Sequence, residues 1–294
     1  MKSPFVPSTR MFSSGKTTLA NALESIFGRQ SVTQIYGDAY HRWSRGAPMW
    51  KVVTHLNPSA NDLFAMATDV GAIIEGQSVD IRQYDHGSGT FTQPITTHPN
   101  DVVIVSGLHT LLSPALCDFL DIKVFLGIEE NLRHVWKVRR DTHSRGQTSA
   151  DLQEILERRK EDGESFIEPQ AVHADIVFRL IWDGSETELS ENLVSSHLKL
   201  KVLLRNSLYH DRLARALIGR CGLELDQNIL DYGRSVEMTI SGEVWAEDIE
   251  SVAYSLIPRL EEILHIEPKW EANTLGLMQL IILLTKKYLV KILA

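Results

Sequence analysis

The sequence predicts a three-layer α/β/α fold with a mostly parallel sheet, followed by a small C-terminal α+β unit. Over residues 1–185, short apolar runs alternate with helical patterns, as they do in chains of βαβ units. The composition then changes at Asp183-Gly184-Ser185, where an acidic stretch begins and indicates a linker. We therefore expect three segments: a main domain at 1–185, an α+β domain at 186–268 and an apolar helix at 269–294.

The individual elements follow from the spacing of the apolar residues. A helix is expected to begin at Lys16, because Leu19, Leu23 and Ile26 share one face and Gly28 can end it. Further helices are expected at 61–75, 129–140, 151–162, 212–218 and 247–264. Strands are expected at 32–36, 101–105, 122–126, 174–180, 198–204 and 236–240.

The amino-acid composition is typical of a globular protein and argues against one class of function. A hydrophobic share of 43% and a charged share of 23% in 294 residues are typical of a soluble globular chain. The net charge of −8 argues against a dedicated nucleic-acid binder, because such proteins hold phosphate backbones with a basic surface. Cys117 and Cys221 form neither a metal-binding pattern nor a disulfide framework, so we expect a cytoplasmic protein.

The apolar run LGLMQLIILL at 275–284 has three interpretations. It is about half the length that a membrane span requires, so a span is not expected. The run can dock on the rest of the chain or join two copies into a homo-oligomer. A helix that lies on a membrane surface is the third alternative.

The sharpest local signal is a phosphate-binding loop, which comprises Ser13, Ser14, Gly15, Lys16, Thr17 and Thr18. A glycine turn that leads into a helix exposes backbone N–H groups, and the helix dipole adds positive partial charge where a phosphate can bind. Lys16 is expected to reach the β- and γ-phosphates of ATP, and the Thr17 hydroxyl to bind Mg²⁺. The pattern indicates a P-loop NTPase-like version of the α/β fold.

Two features depart from the full phosphate-loop pattern. Arg10 stands where a glycine is expected, and Pro7 interrupts the preceding apolar run, although a strand there needs its N–H groups. The alternative to a working nucleotide site is a chain that keeps the fold and has lost affinity.

Further motifs follow in order along the chain. They are Gly37-Asp38-Ala39-Tyr40-His41-Arg42, THLNPSANDLF at 54–64, Tyr84-Asp85-His86-Gly87-Ser88-Gly89, Val105-Ser106-Gly107-Leu108-His109, and Arg139-Arg140-Asp141 with Arg145-Gly146. Together with the phosphate loop, they resemble the phosphoribulokinase and uridine kinase family over residues 10–180. The resemblance implies an ATP-dependent kinase that moves the γ-phosphate to a hydroxyl of a small-molecule acceptor, a sugar phosphate or a nucleoside.

The resemblance also assigns roles to residues. Asp38 is expected to be the catalytic base, an assignment that its place after a strand supports independently, because α/β sites form at the carboxyl ends of strands. Lys16 and Arg140 are expected to assist catalysis by neutralising phosphate charge, and Thr17 with Asp38 to hold the metal. The expected acceptor-binding residues are His41, Arg42, Tyr84, Asp85, His86 and Arg145.

Each of these assignments has a structural alternative. Asp38 can serve as a helix cap or turn residue, and the polar residues of the 84–89 loop can be ordinary turn residues. The arginines of 139–145, like Arg158 and Arg159, can form a solvated helix face.

Ser106 is the largest departure from the family pattern. The family has a glutamate at this position, after an apolar strand, and serine brings no negative charge to a metal. Two functions therefore remain open: an active ATP-dependent kinase, or a catalytically impaired member of the same fold that binds nucleotide or regulates another protein.

Overall fold

The computed structural model describes residues 15–129, 132, 157–182, 184, 198–206, 209–264 and 266–292, with side chains described as far as residue 285. These residues form two compact units. The central unit consists of the described residues within 27–125 and 146–176. The flanking unit consists of those within 1–26, 126–145 and 177–294.

A pair of parallel strands organises the central unit. Strand β1, Val32–Tyr36, runs beside β6, Val102–Ser106, with Tyr36 opposite Ser106 at the carboxyl ends. Both strands are short runs rich in β-branched residues, which favour extended backbone. Their shared register brings the segments that follow Tyr36 and Ser106 to the same edge.

Helix α2, Leu63–Ile74, covers this strand pair. The Asp62 side chain caps the helix by accepting a hydrogen bond of 3.1 Å from the N–H of Ala65. Apolar side chains of α2 then pack in one core with residues of β1, of the turn after it and of two later segments. The members of this core are Ile35, Ala39, Tyr40, Met66, Val70, Ile73, Ile81 and Leu116. The cluster fixes the turn that follows β1, because Ala39 and Tyr40 belong to it.

Smaller elements complete the central unit. Strand β2, Val79–Ile81, pairs with β5, Ile95–Thr97, and β3, Tyr84–Asp85, pairs with β4, Thr90–Phe91, both antiparallel. Helix α3 spans Pro114–Phe119. Residues 157–162 are helical and continue into a π-helix at Gly163–Ile167 and a 3₁₀ helix at Glu168–His173.

A five-stranded sheet accounts for most strands outside the central unit. It comprises β7 at Val124–Ile128, β8 at Ile176–Trp182, β9 at Leu198–Arg205, β10 at Glu224–Leu230 and β11 at Ser235–Ser241. The strand order is β10-β11-β9-β8-β7, and the pairs β10–β11 and β11–β9 are antiparallel. The helices of the flanking unit are α1 at Lys16–Phe27, α4 at His210–Cys221, α5 at Ala246–Leu256, α6 at Leu260–Ile263 and α7 at Asn273–Ile292.

Most expected elements are confirmed, with boundaries displaced by a few residues. The helix expected at 247–264 is instead two helices, α5 and α6, because Pro258 cannot donate the N–H that a continuous helix needs. Strand β10 was missed, since its exposed edge position lets it be largely polar. The helix expected at 129–140 and the first part of the one at 151–162 lie outside the described residues. The three-segment division at 185 and 268 stays a prediction.

Helix α7 is buried on all sides over its apolar run. From Leu277 to Leu284 every side chain is at most 7% exposed, Gln279 included. A helix that is apolar around its whole circumference belongs in a protein interior. The burial agrees with the docked interpretation of this run. Among the helices that the structure describes, none combines the length and apolarity required of a membrane span.

Gln279 provides the polar anchor of α7. Its Nε2 donates to the carbonyl oxygen of Ala22 in α1 over 2.7 Å, and its Oε1 accepts from the N–H of Glu271 over 2.8 Å. Ser25 of α1 adds a backbone bond, because its carbonyl accepts from the N–H of Lys269 over 3.1 Å. The helix that follows the phosphate loop is thereby bonded to the C-terminal segment.

Replacing Gln279 with leucine is expected to lower the midpoint of thermal unfolding by about 3–8 °C, because the buried carbonyl of Ala22 loses its donor. Differential scanning calorimetry measures this midpoint. Gln77→Leu, at an exposed position, is the matched control and should change it by less. Equal midpoints for the two variants would contradict the anchoring role.

Candidate active site

The described part of the phosphate loop begins at Gly15. This glycine has φ 64°, in the left-handed region, and a Cβ there would lie 3.0 Å from Leu126 Cδ2. Helix α1 starts at the next residue, Lys16, whose side chain is half-buried, while that of Thr17 is exposed. The first turn of α1 contains no acidic residue.

Asp38 lies in the short 3₁₀ turn Gly37–Tyr40 that follows β1. The turn passes close to the chain that leaves β6: a Cβ on Gly37 would lie 2.8 Å from the Cα of Gly107. Only glycine permits this approach of two backbones. The turn therefore holds Asp38 at the carboxyl edge of the parallel strands, where α/β proteins form their sites.

Two histidine rings face the Asp38 carboxylate. His41 Nε2 lies 3.4 Å from Oδ1, and His86 Nε2 lies 3.3 Å from Oδ2. The Asp38 side chain remains 36% exposed, so a ligand can still reach it. Three predicted site residues from two separate motifs thus meet at one point.

The ring of His41 is fixed on several sides. Its Nδ1 lies 2.6 Å from Asn61 Oδ1, and the two residues also form an isolated antiparallel bridge. The edges of Trp50 and Tyr84 contact the ring, with centroids 5.6 Å and 5.5 Å away. His41 is therefore a buried and oriented ring, whereas His86 is largely exposed.

Asp85 forms the tight turn that presents His86. Its Oδ1 accepts from the N–H of Gly87 over 2.9 Å, and its Oδ2 from the N–H of Ser88 over 3.1 Å. Hydrogen bonding from Ser88, with that from Gly87, holds the pKa of the Asp85 carboxyl below its usual value. The Asp85 carboxylate therefore stabilises its own turn.

Arg45 ties the same turn to the loop after Asp38. The guanidinium donates from Nη2 to the carbonyl oxygen of His86 over 2.7 Å, and the N–H of Arg45 donates to the carbonyl oxygen of Gly89 over 2.7 Å. These bonds fix the backbone on which the His86 ring is carried.

Tyr40 anchors the Asp38 turn to helix α2. Its hydroxyl donates to Asp69 Oδ2 over 2.9 Å. Burial raises the pKa of Tyr40 well above its usual range, with the nearby charge of Asp69 adding to the shift. Burial likewise raises the pKa of Asp69. Tyr40 therefore keeps its proton and acts as a donor.

Arg82 holds the turn from its other side. Its Nε donates to the carbonyl oxygen of Ala39 over 2.9 Å and its Nη2 to that of His41 over 2.5 Å. The guanidinium also stacks on the Phe91 ring, 3.7 Å from its centroid. Only a planar guanidinium can form both hydrogen bonds and stack on the Phe91 ring at the same time.

Arg82→Lys is expected to lower the midpoint of thermal unfolding by about 2–6 °C, because lysine cannot bond both carbonyls while stacking on Phe91. Differential scanning fluorimetry measures the shift. Arg215→Lys on α4, where the arginine is exposed, is the matched control. A midpoint unchanged in both variants would show that the fork does not stabilise the Asp38 turn.

A small pocket adjoins Asp38. It is lined by Gly37, Asp38, His41, Asn61, Leu63, Met66, Leu108 and His109. His109 is buried, with Nε2 2.9 Å from the carbonyl oxygen of Leu56. Ser106 ends β6 opposite Tyr36. Arg42 is exposed and donates from Nε to the carbonyl oxygen of Ser59 over 3.1 Å.

A model of the phosphoribulokinase / uridine kinase family matches residues 10–184, which is more than half of the chain. The chain belongs to this family. The family resemblance of the ordered motifs is thereby confirmed.

The chain is similar to kinases of two kinds within the family. It is 32% identical to a phosphoribulokinase of Synechocystis over 194 residues, which cover 66% of this chain and 57% of that protein. A uridine kinase of Streptococcus agalactiae is also 32% identical, over 167 residues that cover 55% of this chain and 80% of that protein. The chloroplastic phosphoribulokinase of Spinacia oleracea is 30% identical over 57% of this chain and 46% of that protein. The chain thus spans about half the length of the curated phosphoribulokinases it matches.

A solved structure of phosphoribulokinase from Rhodobacter spheroides shares the fold. The TM-score is 0.63, and the match covers 86% of this chain and 96% of that one at 20% sequence identity. At this identity the likeness shows the fold alone. The predicted P-loop NTPase-like α/β fold is confirmed.

Several predicted residues of the family site lie outside the described residues. They are Ser13 and Ser14 of the phosphate loop, the departures Pro7 and Arg10, and Arg139, Arg140 and Arg145. Arg158 lies in the described helix and donates to the carbonyl oxygen of Lys51. The assigned roles of all site residues stay predictions.

Sequence reasoning missed the residues that position the site. Asn61, Arg45 and Arg82 contact the Asp38 turn or its histidines, yet none was selected as a site residue. Asn61 lies in the 54–64 motif, so its place in that motif was a usable signal. No local pattern marks Arg45 or Arg82, because their partners lie about 40 residues away in the sequence.

Proposed function

We propose that this protein is an ATP-dependent kinase that transfers the γ-phosphate to a hydroxyl of a sugar phosphate or a nucleoside. The observation that carries the proposal is the Asp38 carboxylate at the edge of the parallel strands, accessible and faced by His41 and His86. Membership of a family whose curated relatives include phosphoribulokinases and uridine kinases supports it.

In the proposed reaction, Asp38 accepts the proton of the acceptor hydroxyl. The hydroxyl oxygen forms a bond to the γ-phosphorus, and the bond from that phosphorus to the bridging oxygen breaks, so ADP leaves with the bridging oxygen. Positioning and charge neutralisation supply most of the catalysis in such transfers. The neighbouring His86 ring fits this scheme, because a ring N–H can donate to the carboxylate and orient it.

The nucleotide is proposed to bind at the start of α1. Backbone N–H groups from Ser13 to Thr18 would surround its phosphates, and the ammonium of Lys16 would offset their charge. The half-buried Lys16 and the absence of acidic residues in the first turn favour an anion there. Arg140 and Arg145 are proposed to neutralise charge on the transferred group.

Mg²⁺ is the proposed metal, held by Thr17 and Asp38. An exposed hydroxyl and a partly exposed carboxylate are oxygen ligands of the kind Mg²⁺ prefers, and the ion commonly takes only one or two protein ligands beside phosphates and water. In the described part of the chain no group of three or more His, Cys, Asp or Glu could hold a metal by itself. Oxygen donors of this kind suit an ion that arrives with the nucleotide, whose charge the ion would neutralise.

The acceptor is proposed to contact the loop residues that surround Asp38. His86 and Arg42 offer exposed donors, and Tyr84 offers a ring whose partners His41, His86 and Phe91 hold it in place. These groups suit a polyhydroxylated molecule that carries a phosphate or a base. The cytoplasm is the proposed location, in keeping with the free thiols of Cys117 and Cys221.

A catalytically impaired, nucleotide-binding protein is the second candidate. Ser106 favours it, because the carboxyl end of β6 carries a hydroxyl where the family has a carboxylate. Tight binding of Mg-ATP without formation of a phosphorylated product would identify this function.

A panel of acceptors tests the proposed function. Nucleosides, pentoses and pentose phosphates are incubated with Mg-ATP and the protein, and mass spectrometry detects an added phosphoryl group. We expect one acceptor class to be phosphorylated. Absence of product across the panel, with Mg-ATP bound, would contradict the kinase and leave the second candidate.

A further inference from the structure

The turn at 54–57 is closed by a carboxylate distant in sequence. Thr54 Oγ1 donates to Asp162 Oδ2 over 2.7 Å, and Asn57 Nδ2 donates to Asp162 Oδ1 over 3.1 Å. Within the turn, the N–H of Asn57 donates to the carbonyl oxygen of Thr54 over 3.1 Å. Thr54 is buried and Asp162 half-buried, so these bonds are shielded from water.

The carbonyl groups of this turn orient two residues of the Asp38 pocket. Asn61 Nδ2 donates to the carbonyl oxygens of Asn57 and His55, over 3.1 Å and 3.4 Å. His109 Nε2 lies 2.9 Å from the carbonyl oxygen of Leu56. Asn61 and His109 both line the pocket beside Asp38.

The orientation of Asn61 determines which nitrogen of His41 carries a proton. Because Asn61 Nδ2 points to backbone carbonyls, its Oδ1 faces His41, and a carbonyl oxygen can only accept. His41 Nδ1 must therefore be the protonated nitrogen. The other nitrogen, Nε2, is left to face Asp38, and it carries a proton only in the imidazolium form.

We propose that Asp162 is a positioning residue for the Asp38 site. Its carboxylate fixes the 54–57 turn through Thr54 and Asn57, the turn fixes Asn61, and Asn61 fixes the tautomer and orientation of His41 beside Asp38. The functional part of this inference rests on the proposed kinase activity, whereas its structural part does not.

The two partners of Asp162 differ in the replacement that they tolerate. The Thr54 hydroxyl can also accept a hydrogen bond, whereas Asn57 Nδ2 can only donate, so in Asp162→Asn the amide can turn and keep both partners. In Asn57→Asp two carboxylates face each other, and no rotation restores the hydrogen bond. The repulsion pushes residue 57 away and releases its carbonyl, which holds Asn61.

The exchange Asn57→Asp/Asp162→Asn restores every bond. The carboxylate at 57 accepts from the amide at 162, and it still accepts from the N–H and hydroxyl of Ser59, as Asn57 Oδ1 does now. Asn57→Asp is expected to be impaired, Asp162→Asn to stay close to wild type, and the exchange variant to recover. Glu161→Gln removes the same charge at a neighbouring exposed position and serves as the control.

The first readout is the ring of His41 in the full-length protein without ligand. Long-range ¹H–¹⁵N spectra distinguish the two tautomers, and the His41→Gln variant assigns the signal. We expect the Nδ1–H form in the wild-type protein, in Glu161→Gln, in Asp162→Asn and in the exchange variant, and a mixture of tautomers in Asn57→Asp. This readout does not depend on turnover, so it can support the positioning role even if the protein proves inactive.

The second readout is steady-state kinetics with the acceptor found in the panel. Asn57→Asp is expected to lower kcat/KM for the acceptor by about ten- to a hundredfold, because small displacements of a reacting group are costly. Adding Asp162→Asn should restore it, and the dissociation constant of Mg-ATP should change less than about twofold throughout. Activity lost only together with nucleotide affinity would overturn the proposal, as would an unchanged His41 spectrum in Asn57→Asp or the absence of recovery in the exchange variant. If Asn57→Asp fails to fold, Thr54→Val removes one donor alone, and wild-type behaviour of both readouts in that variant would equally overturn it.

Discussion

Asp38→Asn is expected to reduce the turnover of phosphoryl transfer by about 10²- to 10⁴-fold, the range typical of a lost general base. Asparagine keeps the size of the side chain and an oxygen that can face His41 and His86, but it cannot take a proton from the acceptor hydroxyl. Steady-state kinetics at saturating acceptor and nucleotide measure the change.

A measurement of nucleotide affinity distinguishes a loss of catalysis in Asp38→Asn from a loss of folded protein. The dissociation constant of Mg-ATP for Asp38→Asn should rise much less than turnover falls, since the phosphate-loop contacts are unaltered and asparagine keeps one oxygen that can face the metal. Asp118→Asn, at an exposed position on α3, is the matched control and should retain full turnover. Full turnover of Asp38→Asn itself would remove Asp38 from the chemistry.

Lys16→Ala is expected to abolish measurable turnover and to weaken Mg-ATP binding by at least about tenfold. The ammonium group is the nearest full positive charge that the sequence places at the start of α1, and electrostatic groups aimed at phosphoryl oxygens contribute about 10²- to 10³-fold to rates. Isothermal titration calorimetry gives the affinity, and labelled ATP gives the turnover.

Lys201 provides the matched control for the Lys16→Ala variant. Lys201 pairs with Glu237 across strands β9 and β11 over 2.9 Å, so Lys201→Ala removes one positive charge from the sheet. It should leave both nucleotide affinity and turnover near the wild-type values. Equal losses in the two variants would indicate a general electrostatic or folding effect, and unchanged turnover in Lys16→Ala would remove the phosphate loop from the reaction.

Much of the fold could be predicted from local patterns. The strand expected at 32–36 coincides with β1, because this short segment is rich in β-branched and aromatic residues and ends at a glycine. Helix α2 is close to its expected limits, since Asp62 caps it and Gly76 follows. The burial of α7 agrees with one of the interpretations of its apolar run, and the run alone does not choose among them.

The elements that were missed lack such local signals. Strand β10 is an exposed edge, so its sequence has little apolar alternation. Gln279 looks like an ordinary polar interruption of an apolar helix, and only the carbonyl of Ala22, 257 residues away, explains it.

The candidate site likewise contains residues that sequence motifs identify and residues that only the structure identifies. Asp38, His41 and His86 belong to short motifs, and the structure brings both histidines to the Asp38 carboxylate. Asn61 and Asp162 act through hydrogen bonds that join separate segments, and their geometry could not be derived from sequence spacing. Asp85 also belongs to a short motif, and its carboxylate accepts hydrogen bonds within its own turn. Its predicted contact with the acceptor stays a prediction.

Transfer of isotopically labelled phosphate tests the central claim most directly. ATP that carries three ¹⁸O atoms on the non-bridging positions of its γ-phosphate is incubated with Mg²⁺, the protein and the acceptor found in the panel. We expect the acceptor to gain a phosphoryl group with all three labels, in a one-to-one ratio to ADP, and Lys16→Ala to give none. Release of the labelled group only as inorganic phosphate, with the acceptor unchanged, would contradict the account.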